Sequence, residues 1–287
     1  MVPPIVMTIP EIRAVTDAVR QQGQTIGFVP TMGALHEGHA SLIRAARAAS
    51  DYVVVSIFVN PTQFGPHEDY AKYPRTLEAD QLVCAQAGAD VIFAPRVEDM
   101  YPANSFSYVE VAKLGDHLCG RSRPGHFRGV CTVVMKLFNI IRPDVAYFGA
   151  KDYQQARIIT QMVRDLNVPV RIAIEPTVRE ADGLALSSRN RYLSPAERAV
   201  APRIQQALQT IAQRVAAGEV DTARLESALE AELMAIPGTR VDYAKIVDAE
   251  FLQPLTRIDR PAVIAVAVFL GTTRLIDNLL IGEPVGR

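Results

Sequence analysis

His36 and His39 stand three residues apart in the run Pro30-Thr-Met-Gly-Ala-Leu-His-Glu-Gly-His39. Residues at that spacing share one face of a helix, so both imidazoles can serve one ligand. Gly33 and Gly38 leave room for phosphate oxygens or an adenine ring to approach the backbone. Imidazole then acts as a hydrogen-bond donor to the anion where other nucleotide folds use lysine. The competing interpretation is a pair of helix-capping or core histidines. It suits one histidine better than two flanked by glycines. A zinc-protease motif is excluded, because the run is one residue short of H-E-x-x-H.

Other stretches carry chemistry of the same kind. In Phe148-Gly-Ala-Lys-Asp-Tyr-Gln-Gln155, Lys151 is a mobile cation suited to phosphate. Asp152 would cap a helix or help hold a metal. Gln154 and Gln155 face different directions, so at most one enters a site. In Leu186-Ser-Ser-Arg-Asn190 two hydroxyls and a guanidinium suit a closing anion clamp, or a solvated linker. In Ser56-Ile-Phe-Val-Asn-Pro-Thr-Gln-Phe64 the Gln63 amide both donates and accepts, which would orient a hydroxy acid. An ordinary Asn-Pro turn explains the same residues. Arg121-Ser-Arg-Pro-Gly-His-Phe-Arg128 is either a basic rim for polyphosphate or solvated surface.

These residues need elements to hold them. Apolar runs predict strands at Ile26–Pro30, Tyr52–Val59, Val91–Ala94, Val145–Gly149 and Val170–Glu175. Helical patterns lie between them near His39–Ala49, Pro74–Ala87, Pro124–Ile141 and Asp152–Leu166. Ser107–Val111 is a candidate extra strand. Both the histidine pair and Lys151 fall where a strand ends and a helix begins. That is where an open α/β sheet binds ligands, and where helix N-termini offer unpaired N–H groups. The expected fold is α/β, a Rossmann-like doubly wound parallel sheet. Beyond Gly183 the pattern changes. A helix over Pro195–Ala217 opens with a Ser194/Glu197 capping box, and a second spans Asp221–Ala235. Strands follow at Arg240–Val247, Ala262–Leu270 and Arg274–Ile281. This predicts a smaller C-terminal α+β domain, residues 184–287, after a first domain of residues 1–183.

Bulk properties narrow the function. The chain has 287 residues, 49% hydrophobic, with a net charge of -1. Such balance gives no electrostatic footprint for nucleic acid or an anionic membrane, so the expected partner is a small molecule. Cys84, Cys119 and Cys131 fit neither a zinc site nor a disulfide framework; reduced buried thiols are expected. The N-terminal Met1-Val-Pro-Pro-Ile-Val-Met lacks the features of a secretory signal. The apolar run Ala262–Leu270 is too short to span a bilayer as a helix. No G-x-G-x-x-G follows a strand, and no P-loop or G-x-S-x-G elbow is present.

Five strings occur in a specific order: Pro30–His39, Val55-Ser-Ile-Phe-Val-Asn-Pro-Thr-Gln-Phe-Gly65, Tyr73-Pro-Arg-Thr76, Phe148–Gln155 and Leu186–Asn190. With them the chain resembles, almost end to end, the pantothenate synthetase (pantoate–β-alanine ligase) family of the HIGH-signature nucleotidyltransferases. The resemblance implies a nucleotide-binding Rossmann-like domain, a C-terminal lid and a cytoplasmic homodimer. It implies ATP and Mg2+. ATP and (R)-pantoate would form pantoyl adenylate and pyrophosphate, and the β-alanine amine would displace AMP. It places ATP against Met32, Gly33, Ala34, Leu35, His36, Glu37, Gly38 and His39. ATP would also meet Gly149, Ala150, Lys151, Asp152, Val178, Leu186, Ser187, Ser188 and Arg189. His39 would be the proton donor, with His36 and Lys151 assisting. Gln63 and Gln155 would contact pantoate, and Gln63 also β-alanine. Ala150 departs from the family pattern, which has a larger polar residue there, often Glu. The metal ligands are not defined by the resemblance; Asp152 and Asp80 are candidates beside phosphate and water. The alternative is another nucleotidyltransferase of the same superfamily.

Overall fold

Apolar β-branched runs too short for helices become strands covered on both faces. Val53, Val54 and Val55 are consecutive and all buried, which a half-solvated strand does not allow. The computed structural model describes residues 2–66 and 68–282. Met1 and residues 283–287, the ends of the two expected domains, lie outside the described residues. The chain divides into two compact units whose segments alternate along the sequence. The first takes the chain up to Val111, then Arg123–Ala150 and Ile158–Pro176. The second takes Ala112–Ser122, Lys151–Arg157 and the chain from Thr177 onward.

In chain order the elements of the first part are β1 (Ile5–Val6), α1 (Ile9–Gln21), β2 (Ile26–Thr31), α2 (Glu37–Ala49), β3 (Tyr52–Ile57), α3 (Leu77–Ala87), β4 (Val91–Phe93) and α4 (Val97–Met100). After α5 (Leu118–Ser122) come α6 (His126–Ile141), β5 (Val145–Gly149), α7 (Tyr153–Asp165) and β6 (Arg171–Glu175). Six strands pair in parallel in the order β1-β4-β3-β2-β5-β6. The chain steps outward from β2 through β3 and β4, then returns to begin β5 on the other side of β2. That reversal is a topological switch point, where ligands bind beyond the carboxyl ends of the strands. Gly27 pairs with Val145 and Phe28 with Ala146, so Thr31 and Gly149 end neighbouring strands.

The α/β expectation holds, with local differences. The expected elements do not include β1 and α1. Yet Thr8 and Glu11 form a capping box, with the Thr8 N–H 3.1 Å from a Glu11 carboxylate oxygen. Ser107–Val111 is not a strand. Its Val109 N–H donates to the Thr132 hydroxyl of α6 (2.9 Å), a side chain rather than a neighbouring strand.

In the second unit α8 (Pro195–Val200), α9 (Arg203–Ala216) and α10 (Thr222–Met234) precede an antiparallel sheet. Its strands are β7 (Thr239–Asp248), β8 (Ala262–Leu270) and β9 (Thr273–Ile281), in that order. The Ser194 capping box forms: the Ser194 N–H donates to Glu197 at 2.7 Å. The single helix expected over Pro195–Ala217 is broken into α8 and α9. Pro202 has no N–H for the preceding turn, so the helix stops and restarts there. Leu208, Ile211, Leu225, Leu229 and Leu233 pack with Ile264, Val266 and Val268 in one buried core. Among the described residues no helix is long and apolar enough to cross a membrane.

Gly129 sets how closely α6 approaches the turn after β3. A Cβ there would lie 2.3 Å from the Thr62 carbonyl oxygen and 2.8 Å from the Gln63 Cα. Helix propensity alone favours Gly129→Ala by about 1 kcal/mol. Overpacking against backbone costs about 1–3 kcal/mol and decides the sign. Gly129→Ala should therefore lower the urea midpoint; an unchanged or raised midpoint would refute this close approach.

Candidate active site

The turn after β2 is tied down on both sides. Thr31 Oγ1 donates to the Ser56 carbonyl (2.7 Å) and accepts from the Gly33 N–H (3.2 Å). Gly33 and Ala34 then take positive φ values of 83° and 51°. For alanine that conformation costs about 1–2 kcal/mol and needs external support. Asp80 of α3 gives it. Asp80 Oδ2 accepts from the Ala34 N–H (3.0 Å) and Oδ1 from the Leu35 N–H (2.7 Å). The Thr76 hydroxyl donates to Oδ1 at 3.2 Å.

His36 comes next, and it is not on the helix. Its φ of -140° and ψ of 179° make it the N-cap of α2. Its Nδ1 accepts from the Gly38 N–H (3.1 Å), while His39 Nδ1 accepts from the His36 N–H (3.3 Å). The two imidazoles thus form a reciprocal capping box, ring centroids 4.2 Å apart. The expected single helix face is replaced by this cap. The capping and binding interpretations are therefore not exclusive. A neutral imidazole that accepts at Nδ1 carries its proton on Nε2, so both rings are Nε2–H donors.

The same bonds correct a second expectation. The N–H groups of Gly33, Ala34, Leu35, His36 and Gly38 all have acceptors within the chain. These five amides at the strand–helix junction are therefore already paired within the chain. Glu37 is exposed and pairs with Arg44.

Gln63 meets this segment. Its Nε2 lies 2.8 Å from Met32 Sδ, and its Oε1 accepts from Asn60 Nδ2 (3.1 Å). Asn60 also donates to the Gly129 carbonyl (3.1 Å) and caps the short turn Pro61–Gln63 through its Oδ1. The Asn-Pro turn is real, and it aims the amide. The Gln63 carbonyl accepts from His126 Nδ1 (2.8 Å) and Arg123 Nη2 (3.2 Å). Because a carbonyl only accepts, His126 donates at Nδ1 and takes the Arg123 Nη1 donor at Nε2 (3.0 Å). Arg123 is itself forked onto Glu68, both contacts 2.6 Å. Burial pushes the Glu68 carboxyl up, but the Arg123 guanidinium and the Gly65 N–H outweigh it and hold it below its ordinary value. Arg123 is thus neither a phosphate rim nor solvated surface. Arg128 stacks over Tyr108, 5.0 Å from the ring centroid.

In the second unit Lys151 Nζ lies 3.6 Å from Asp152 Oδ2, and the Lys151 carbonyl accepts from Asn278 Nδ2 (2.8 Å). Gln154 is consumed: it accepts from the Cys119 N–H and donates to the Leu114 and His117 carbonyls. Gln155 is the one of the pair not committed to that tie. The Leu186 N–H donates to the Val178 carbonyl (3.0 Å), so these two predicted residues face each other across a hairpin. Arg179 anchors the hairpin by a fork onto buried Asp277, 2.6 and 2.9 Å. Ser187 Oγ caps the turn Ser188–Tyr192 through the Arg189 N–H (3.3 Å). The structure therefore joins Met32, His36, His39 and Gln63 in one unit, and Val178 with Leu186–Arg189 in the other.

Asp80 does not act as a candidate metal ligand, because both its oxygens are engaged with N–H or O–H donors. Among the described residues no three His, Cys, Asp or Glu side chains are grouped to hold a metal. All three cysteines are buried free thiols, as expected. Burial, and after it the Asp80 carboxylate, pushes the Cys84 thiol up to about 12.

Known proteins share this architecture. The profile of the family described as Pantoate-beta-alanine ligase matches residues 4–280. Pantothenate synthetase from Moorella thermoacetica is 57% identical over 277 residues, covering 96% of this chain and 98% of that one. The pantothenate synthetase of Thermotoga petrophila is 53% identical, covering 97% and 99%. The crystal structure of pantothenate synthetase from Thermus thermophilus superposes with a TM-score of 0.90 at 47% identity, covering 96% and 98%. That of pantoate-beta-alanine ligase from Francisella tularensis, complexed with beta-gamma ATP and beta-alanine, gives 0.79 at 37%, covering 97% of each chain. With a profile match over nearly the whole length and relatives above half identity, the chain belongs to the pantoate-beta-alanine ligase family.

Proposed function

We propose that the protein joins (R)-pantoate to β-alanine with ATP, through pantoyl adenylate. The pantoate carboxylate attacks the α-phosphorus and pyrophosphate leaves. The β-alanine amine then attacks the acyl carbon, sheds a proton and displaces AMP. One observation carries most of this reading. The paired imidazole cap beyond β2 is joined through Met32 to a buried glutamine amide. Donors suited to phosphate and a group suited to a hydroxy acid are thereby built together. The Francisella tularensis relative, described with beta-gamma ATP and beta-alanine bound, supports the same ligands here.

The residue roles follow from chemistry. Attack on phosphorus needs positioning and charge relief more than covalent help. His39 donates an Nε2–H hydrogen bond to a phosphate oxygen as negative charge moves toward pyrophosphate, and His36 donates beside it. Met32 to His39 and Gly149 to Asp152 hold ATP, with Lys151 on the phosphates. A Cβ at Gly149 would meet nothing within 4 Å, which suits a backbone that a ligand approaches. Val178 lines the nucleotide through its backbone. Leu186, Ser187, Ser188 and Arg189 close over the phosphates and keep water from the adenylate. Gln63 and Gln155 orient pantoate, and Gln63 receives β-alanine. Residues 1–183 serve as the nucleotide and pantoate domain and 184–287 as the lid, in a cytoplasmic homodimer. Among the described residues no side chains are grouped to build a magnesium cage. Mg2+ enters with ATP as part of the substrate, held by phosphates and water.

An AMP-release assay with each acid omitted in turn tests the reaction. Release that requires both pantoate and β-alanine is expected. Release with a phosphorylated co-substrate instead would favour another HIGH-signature transferase.

His36 separates capping from chemistry. In His36→Asn the amide oxygen still accepts from the Gly38 N–H, so stability should change by only about 0.5 kcal/mol. Pantoate-dependent ATP–pyrophosphate exchange should nonetheless fall about 10²–10³-fold, as when a preorganised donor is lost. His39→Ala should fall at least as far. Wild-type exchange in either variant would remove the imidazoles from the reaction.

Gln63→Ala should raise KM for pantoate at least about tenfold, the loss of one hydrogen-bonded pair to a charged acid. KM for ATP should stay near wild type. Equal effects on both substrates would show that Gln63 does not discriminate between them.

A further inference from the structure

Asp80, excluded above as a metal ligand, has no part in the proposed reaction so far, yet it is 2% exposed and ionisable. Glu78, two residues earlier on α3, is exposed. A buried carboxylate costs several kcal/mol unless donors replace its water. Two of its three donors, the Ala34 and Leu35 N–H groups, come from the turn that delivers His36; the third is Thr76 Oγ1. A Cβ at Gly33 would lie 3.0 Å from Asp80 Oδ2, so the carboxylate sits directly beneath the turn.

We propose that Asp80 is a positioning residue for adenylyl transfer, holding the 33–35 turn so that His36 and His39 present their Nε2 protons to the phosphates. This rests on the role given to the imidazoles under the proposed function. Ala34 holds a left-handed conformation it would leave if released. Only Leu35 separates it from the His36 cap, so a shift there moves both rings of the capping box. Asparagine cannot replace the carboxylate. It has one acceptor oxygen, and its NH2 would face the second backbone N–H.

The two half-reactions separate this role from a general structural one. Pantoate-dependent ATP–pyrophosphate exchange reads adenylyl transfer. Pantothenate formation from chemically made pantoyl adenylate and β-alanine reads only the second step. In full-length Asp80→Asn, kcat for exchange should fall about 100-fold, the effect of a misplacement near 1 Å. The second step should stay within about twofold of wild type. Thr76→Val removes one of the three donors and leaves both turn amides bonded. It should show the same split at about three- to tenfold, and it decides the matter if Asp80→Asn does not fold. Equal losses in both half-reactions, or exchange at the wild-type rate, would overturn the assignment. A wild-type protein lacking pantoate-dependent exchange would instead overturn the functional reading itself.

Discussion

A helix begins with N–H groups that have no partner inside it, and something must accept from them. At the start of α2 two imidazoles do so, each through Nδ1. Much of the candidate site depends on this cap. It fixes the tautomer of both rings, their separation and the direction of Nε2. It also explains why residues of this chemistry stand three apart. His36 caps and His39 is the third helical residue, the same offset as the Ser and Glu of an ordinary capping box. Capping and binding use opposite nitrogens of the same ring, so one residue type satisfies both demands.

The supporting groups follow the same logic on the other side of the turn. Gln63 is held at its side chain by Asn60 and at its carbonyl by His126 and Arg123. Gly129 allows the backbone of the turn to rest against α6. Glu68 takes the charge of Arg123, so the guanidinium acts as an oriented donor rather than a cation seeking phosphate. The residues that would touch substrate are few. Those that hold them come from α3, α6 and the turn after β3, far apart in sequence.

This separation explains what the sequence makes legible and what it hides. Strands such as Val145–Gly149 and Ala262–Leu270 carry their signal locally, in unbroken apolar runs, and both matched to the residue. The histidine pair, Lys151 and Gln63 were visible from residue type and their place at strand ends. α1 carries only the Thr8 and Glu11 capping box as its local signal, and the strong helical pattern over Pro195–Ala217 hides the break at Pro202. Asp80 reads in the sequence only as a carboxylate that could help hold a metal. Its role depends on two amides 45 and 46 residues away, and no local pattern encodes that pairing. Arg123 looked basic because Glu68 sits 55 residues from it.

The charges around the cap have a common fate. Asp80 is bonded to amides, Arg123 to Glu68, and Glu37 to Arg44. What the first unit presents from the cap is therefore a pair of neutral N–H dipoles. Neutral donors held in place bind a ground-state triphosphate only modestly. They strengthen as negative charge grows on the oxygens they face, which is the differential a catalyst needs. A lysine in the same place would bring a full charge on a flexible stem, without the fixed direction that the cap gives these donors. In the proposed reaction full positive charge comes from Lys151 and Arg189, both from the second unit. The division assigns binding of the polyanion to cations and assistance of the transfer to a rigid, uncharged cap. On that division the stiffness of the 33–35 turn matters more to the reaction than any added charge near it.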